Sequence, residues 1–233
     1  MSDSYQKRIT CPKCKTPGTA VIHPSVNVTL LPKMKEQVLT REFFMYRCPI
    51  CGSGTEITHS CLYHDMEKHY IIYLIPKVKP DEIIRLQEWH DQYNVSSGQD
   101  QLPYYILRIV QSVTELIEKI SIFDRGKDDR TIEICKILIA EMILQDNVDF
   151  DYRDSFYYCD GAEEKITYFE PGKQGYTATL SEEFYADVQS YAKEYLDELY
   201  SNKYSKIDAE YADVVLYQIA CDERESNKGA HAE

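Results

Sequence analysis

Two short cysteine motifs constrain the fold more strongly than any other part of this sequence. Cys11-Pro-Lys-Cys14, here called the first hook, returns 37 residues later as Cys48-Pro-Ile-Cys51, the second hook. Two residues between paired cysteines let both sulfurs reach one ion, and zinc favours four tetrahedral ligands such as thiolates. Gly52 follows the second hook and permits the positive φ that such a turn often needs. We therefore predict one structural zinc ion, bound by Cys11, Cys14, Cys48 and Cys51.

The sequence between and after the hooks leaves two alternatives open. The hooks are separated by 33 residues, more than the roughly 15–20 of a compact zinc-ribbon pattern, although a predicted helix in the insert makes a folded excursion reasonable. A redox Cys-Pro-x-Cys pair would precede a helix that lowers the pKa of its first thiol, whereas Thr16-Pro17-Gly18 follows the first hook. Structural zinc is the leading interpretation, and a redox pair or another metal remains the alternative.

The residues around the hooks have the pattern of short strands. Val26, Val28 and Leu30 alternate onto one face of an extended segment, and Pro32 suits the first position of a helix over 33–39. The predicted strands are Arg8–Thr10, Ala20–Leu30, Phe43–Arg47, Gly54–Ser60 and Tyr70–Ile75. This order of strands and hooks predicts a zinc-ribbon-like β domain.

The middle of the chain reads as mainly helical. Pro80 begins a predicted helix that runs to about Tyr93, with acidic residues in its first turn, and 94–103 reads as a loop. A strand over Tyr104–Leu107 precedes apolar residues at helical spacing, namely Ile109, Val113, Leu116, Ile120 and Phe123. Asp124–Asp129 then breaks the helix and offers a cap for the next one. That helix, Thr131–Leu144, should be mostly buried. Its narrow solvent-exposed stripe should consist of Glu133, Lys136 and Glu141.

The last third of the chain predicts a hairpin followed by helices. Ser155–Tyr158 and Lys165–Phe169 read as strands joined by a loop of several residues, with a third strand over Tyr176–Leu180. Ser181 should cap a long helix whose apolar face consists of Phe184, Val188, Tyr191, Tyr195 and Leu199. Residues 207–220 fit either a strand or a helix, and the polar end of the chain is expected to fray.

Together these patterns predict an α+β protein in three parts. Residues 1–78 form the zinc-ribbon-like β domain, 79–147 a helical segment packed on it, and 148–233 an acidic α+β region. Cys135, Cys159 and Cys221 lie in apolar or tyrosine-rich surroundings and read as small core residues.

Charge is distributed unevenly along the chain. The net charge is −13, but residues 1–80 carry 11 basic against 6 acidic side chains, and 81–233 carry 15 against 33. The basic part can approach a phosphate backbone, and the acidic part would repel one. Basic and acidic parts of two chains could also associate head to tail. The start of the chain has no signal-peptide pattern and no apolar run is long enough to span a membrane, so we expect a cytoplasmic protein.

The hooks also carry a resemblance to a known family. Cys11-Pro12-Lys13-Cys14 and Cys48-Pro49-Ile50-Cys51-Gly52 resemble the bacterial CpXC domain family, which is named for two such motifs. The similarity continues through Val26–Leu30, Leu62–Met66 and Ile72–Pro76, and less specifically to about residue 135. The resemblance implies that the four cysteines form a metal site and that the protein is bacterial, and it implies no established activity.

Three functions compete on this evidence. The leading hypothesis is a non-enzymatic protein-interaction or regulatory module with structural zinc. The second is a nucleic-acid binder that uses basic residues such as Lys33, Lys35 and Arg41, with aromatic residues near the second hook available for stacking. The third is a metal-dependent hydrolase around His64 and Asp65, although a turn that these two residues fix by local hydrogen bonds is the favoured interpretation. No nucleophile-elbow, zinc-protease or dinucleotide fingerprint is present.

Overall fold

The computed structural model describes residues 4–96, 105–144, 151–169, 175–197 and 203–230. These residues form a mixed α+β fold with several small sheets, which confirms the predicted class at that level. The chain divides into two compact units, Met1–Ile117 with Asn202–Ser205 and Glu118–Ser201 with Lys206–Glu233. The division into three domains predicted from the sequence concerns which parts fold independently, and it stays a prediction.

Two β-hairpins carry the hooks in the first unit. Strands β1 (Tyr5–Thr10) and β2 (Pro17–Ile22) are antiparallel and enclose the first hook. Strands β4 (Met45–Arg47) and β5 (Gly54–Glu56) enclose the second in the same way. Each pair forms a sheet of two strands only, so each hook is the turn of a hairpin.

A four-stranded sheet forms the rest of the first unit's framework. Its order is β3 (Ser25–Asn27), β6 (Cys61–Asp65), β7 (Tyr70–Leu74) and β8 (Ile106–Val110). Only the central pair β6–β7 is antiparallel. Burial alternates along both central strands, as expected for strands that bury one face. Helix α1 (Pro32–Leu39), a 3₁₀ turn (Glu42–Phe44) and helix α2 (Pro80–Ser96) connect these strands.

Several predictions for the first unit are confirmed and others are wrong. Both proline-initiated helices form, and the predicted loop over 94–103 begins inside α2, with 97–103 outside the described residues. The long strand 20–30 is interrupted after Ile22, and Leu30 is 65% exposed because the chain turns there. The strand predicted from Phe43 starts with the 3₁₀ turn, and the one from Gly54 ends at Glu56. Strand β6 has no counterpart among the predicted strands.

The second unit combines helices with a three-stranded sheet. Helix α3 (Val113–Asp124) starts in the first unit and is followed by α4 (Asp129–Leu144). The sheet has the order β11 (Tyr176–Thr179), β10 (Glu163–Tyr168) and β9 (Ser155–Asp160). Helices α5 (Glu182–Asp197) and α6 (Ala209–Ala230) pack with α4. None of the described helices is both long and apolar enough to cross a membrane.

Three details of the second unit correct the sequence-based expectations. The β9–β10 turn is only Gly161-Ala162, with Gly161 at φ 62°, so both strands are longer than predicted. Val188 is buried on α5 as predicted, but the other buried residues, Tyr185, Ala192 and Leu196, each lie one position after a residue of the predicted face, and Tyr191 is 50% exposed. Leu199 lies outside the described residues. Residues 209–230 are helical, which settles the ambiguous 207–220 segment.

A buried ionic network takes the place of the solvent-exposed polar stripe that was expected on α4. Lys119 Nζ lies 3.2 Å from Asp129 Oδ2 and 3.0 Å from Glu133 Oε1. Lys136 Nζ lies 3.1 Å from Glu133 Oε2 and 2.7 Å from Glu118 Oε1. All five residues are at most 4% exposed, so the prediction of a solvated stripe is wrong for Glu133 and Lys136. Ion pairing is what allows these charges to be buried.

Candidate metal centre

The two hooks have nearly the same backbone. In the first, the N–H of Lys15 donates to the carbonyl of Cys11 at 2.9 Å, and in the second the N–H of Gly52 donates to that of Cys48 at 2.9 Å. Each hairpin is closed by one further bond, from Cys11 N–H to the Thr16 carbonyl and from Cys48 N–H to the Ser53 carbonyl, at 2.9 and 3.0 Å. Each hook therefore presents its two sulfurs from one tight turn.

The four sulfurs converge on one point. Cys11 Sγ lies 3.7 Å from Cys51 Sγ, Cys14 Sγ lies 3.6 Å from Cys48 Sγ, and all four sulfurs lie within 4.8 Å of one another. A tetrahedral zinc site with Zn–S bonds of about 2.3 Å has sulfurs about 3.8 Å apart. The cluster can therefore hold a metal ion, and the structure brings together all four predicted residues from two hairpins.

The electrostatics of the thiols are unequal. Hydrogen bonds with the Thr16 side chain and backbone lower the pKa of the Cys14 thiol to about 6. The backbone N–H groups of Cys51 and Ile50 lower the pKa of Cys48. At Cys51 a backbone hydrogen bond with Ser53 lowers the pKa of the thiol. Burial and the neighbouring thiols outweigh this effect and raise the pKa to about 11. Thiolates so close together repel one another, and a cation among them removes that repulsion and deprotonates all four.

A small apolar shell surrounds the sulfurs, and Tyr46 is its largest member. Cys11 and Cys48 are buried, whereas Cys14 and Cys51 are half-buried. The Tyr46 hydroxyl has no partner with hydrogen-bond geometry among the described residues. Burial is the main cause that raises the pKa of Tyr46, and the adjacent Cys48 thiol is the next. A thiolate at Cys48 would give this hydroxyl an acceptor, as expected for a group that orients a metal ligand. The remaining members of the shell are Ile9, Ala20, Ile22 and Ile57.

Gly18 is needed because of Tyr46. A Cβ atom on Gly18 would lie 2.1 Å from Tyr46 Oη, far inside contact distance. Tyr46 is only 6% exposed, so its ring cannot turn away freely. The sequence contains both residues, but nothing in their spacing indicates that they meet.

The structure separates the residues of the proposed hydrolase site. His64 and Asp65 are neighbours on β6, so their side chains point to opposite faces of the sheet. Asp65 is buried and accepts hydrogen bonds from the Lys68 backbone at 3.0 Å, from Lys35 at 3.4 Å and from Thr29 at 3.5 Å. Its carboxylate therefore fastens the β6–β7 turn, as the turn interpretation expects.

The residues of the proposed nucleic-acid surface are largely engaged elsewhere. Phe43, Phe44 and Tyr46 are at most 8% exposed, so their rings are not free to stack on bases. Arg41 pairs with Glu56 at 3.1 Å and Lys35 with Asp65 at 3.4 Å. Several exposed cations remain around the first hook, namely Lys7, Arg8, Lys13 and Lys15.

The remaining candidate residues lie outside the four-cysteine cluster. Asp128 Oδ1 accepts the Arg130 N–H at 2.9 Å at the start of α4, so the 124–130 loop caps a helix as predicted. Cys135 is fully buried, whereas Cys159 and Cys221 are half-buried, which confirms a core position for the first. Among the described residues, the hook cysteines form the only cluster of potential metal ligands.

Comparison with known families agrees with the geometry of the hooks. The family described as CpXC protein matches residues 9–136, which is more than half of the chain and includes both hooks. The chain belongs to the CpXC family. No curated protein and no solved structure matches the chain. The CpXC match ends inside α4, so part of the second unit lies beyond the region shared with the family.

Proposed function

We propose that this CpXC protein binds one structural zinc ion through Cys11, Cys14, Cys48 and Cys51, and that its first unit contains a zinc-ribbon-like domain. The sulfur cluster supports zinc because four thiolates in a compact tetrahedral set are typical of closed structural zinc sites. A closed site has no open position for a substrate, and its role is to hold two hairpins together. These hairpins, of only two strands each, have little core of their own.

We further propose that the protein works as an interaction or regulatory module. Its fixed element is the pair of hairpins joined by the metal, and both present exposed strands and side chains to solvent. Apart from the hooks, the described residues bring no cluster of metal-ligating side chains together. The observation that supports this proposal is the four-sulfur geometry, because a metal site that joins two hairpins provides a rigid scaffold.

The test compares cysteine variants under matched conditions. Cys11→Ser and Cys48→Ser should lose zinc and lower the melting temperature of the first unit, since removing a ligand from a structural site removes folding free energy. Cys221→Ser, in the second unit, is the control and should retain both zinc and stability. Zinc loss without any change in melting would contradict the structural role.

Nucleic-acid binding is the second candidate, and the exposed cations near the first hook favour it. The balance of +5 over residues 1–80 falls to about +3 when four thiolates and Zn²⁺ are counted. Replacing Lys7, Arg8, Lys13 and Lys15 by glutamate should abolish binding to single-stranded DNA, and affinity should fall steeply with salt. Absence of any salt-dependent binding by the zinc-loaded chain would rule out this candidate.

A further inference from the structure

A groove is lined by residues of both hook-bearing hairpins. It has a volume of about 480 Å³, within the range of ligand-binding clefts. Its walls include Thr19–His23, most of which belongs to β2, and Glu42–Arg47, which includes β4. Each of these strands is paired on one side only, with β1 and β5 respectively. The groove is therefore lined by two strands that each have an open edge.

The register shows which backbone groups lie on the open edge of β2. Cys11 N–H bonds to the Thr16 carbonyl, and hydrogen-bonded and non-bonded pairs alternate along an antiparallel ladder. Gly18, Ala20 and Ile22 therefore bond to β1, and the N–H and C=O groups of Thr19 and Val21 point away from it. Pro17, which has no N–H, occupies another outward position, where it disrupts no ladder bond.

The same reasoning applies to β4. Its ladder bonds to β5 run through Phe44, Tyr46 and Cys48, because Ile57 N–H bonds to the Phe44 carbonyl and Cys48 N–H to the Ser53 carbonyl. The backbone of Arg47 and the carbonyl of Met45 therefore face away from β5. The Met45 N–H is already bonded to the Glu42 carbonyl. Within the described residues, Thr19, Val21 and Arg47 have no backbone partner on these outward edges.

Exposure and charge indicate what the groove would bind. Val21 is 55% exposed, a high value for a valine on a strand. Arg8 lies directly opposite Thr19 and is exposed on the same face, and residues 1–80 carry excess positive charge. An open strand edge is recognised by another extended backbone, through main-chain hydrogen bonds. The charged residues of the lining, Glu42 and Arg47, pair with each other, so the exposed Arg8 beside β2 gives the preference for acidic side chains on that segment.

We infer that the groove between β2 and β4 binds an extended acidic segment of a partner protein, which pairs with β2 as an added strand. This inference rests on the proposed interaction function, because a metal bound by the hooks fixes the two walls relative to each other. Thr19 and Val21 supply the main-chain bonds, and Arg8 supplies the preference for acidic side chains.

The test uses a labelled ten-residue peptide of alternating valine and glutamate and the zinc-loaded full chain. Fluorescence anisotropy should show saturable binding, and amide hydrogen exchange should show new protection at Thr19 and Val21. The same peptide with alternate backbone nitrogens methylated should bind at least tenfold more weakly. A lysine-for-glutamate peptide should also bind more weakly, and Arg8→Glu should reverse that preference.

Two proline variants separate the groove edge from the hairpin itself. Val21→Pro removes an outward N–H of β2 and should reduce peptide affinity at least tenfold. Gln6→Pro is the matched control, because Gln6 is opposite Val21 and its own N–H points out of the other edge of the hairpin. Equal binding by Val21→Pro and the wild type would overturn the inference. Arg8→Glu, an exposed change, provides the test if either proline variant unfolds.

The outcomes also distinguish this inference from the proposed function. A chain that contains zinc but binds none of the peptides, or shows protection only on β1, contradicts the groove and leaves the zinc site intact. Protection of Thr19 and Val21 that rises with protein concentration, without peptide, would show a second copy in the groove and overturn the partner named here. A chain without zinc contradicts the proposed function instead.

Discussion

Lys15 and Gly52 occupy the same backbone position in the two hooks, with φ angles of 61° and 67°. Each residue follows the second cysteine of its hook and donates its N–H to the carbonyl of the first cysteine. The left-handed conformation costs a residue with a Cβ atom roughly 1–2 kcal/mol, and glycine adopts it without that cost. The first hook is therefore strained where the second is relaxed.

Exchanging these two residue types should change stability in opposite directions. Gly52→Lys should lower the free energy of unfolding by about 1 kcal/mol, and Lys15→Gly should raise it by a smaller amount, since glycine also adds entropy to the unfolded chain. Denaturant unfolding of the zinc-loaded proteins measures both. Two changes of the same sign would contradict the assigned backbone conformations.

Gly18→Ala should destabilise the first unit because its methyl group would overlap Tyr46. Overpacking of this kind typically costs about 1–3 kcal/mol. Gly54→Ala is a suitable control, since a Cβ there meets only the flexible end of the Met45 side chain. A loss for the control as large as that for Gly18→Ala would show that the cost lies in the strands and not in the contact with Tyr46.

The ionic network predicts a large difference between two glutamates on α4. Glu133→Ala should destabilise the protein by about 3–5 kcal/mol, because Lys119 and Lys136 would lose a carboxylate that they share in the interior. Glu141→Ala, at an exposed position of the same helix, should change stability by no more than about 0.5 kcal/mol. Thermal or denaturant unfolding checks both, and equal effects would contradict the burial of the network.

His64 predicts a pH dependence with a defined sign. Burial lowers the pKa of His64 below its ordinary value of 6.5, against an opposing effect of Asp65. Between the folded pKa and 6.5 the unfolded chain therefore binds more protons, so stability falls as pH decreases below about 6.5. His64→Phe should reduce this loss when unfolding free energies are compared at pH 7.5 and 5.5. An unchanged pH dependence would contradict a half-buried imidazole that stays neutral in the folded protein.

Local patterns predicted the parts of the fold that local chemistry determines. The hooks turn as their spacing requires, and Pro32 and Pro80 begin helices. The convergence of the four cysteines was also predictable, because a paired-cysteine motif has few other uses in a chain of this type.

Long-range contacts account for what sequence patterns missed. Strand β6 ends in a buried Asp65, and this acid is satisfied by Lys35 and Thr29, which lie 30 and 36 positions earlier. Lys119 likewise meets Glu133 across two helices. In both cases a charged residue is predicted to be exposed, because the sequence does not show the distant partner that allows it to be buried. The contact between Gly18 and Tyr46 is hidden for the same reason.

Metal content is the most direct test of the central claim. Elemental analysis of the purified protein, with thiol counting before and after chelation, should give one zinc per chain and four additional reactive thiols once the metal is removed. Chelation should also lower the melting temperature, since the bound ion holds both hairpins. Absence of metal, or a thiol count that shows disulfide-paired hook cysteines, would contradict the structural zinc site.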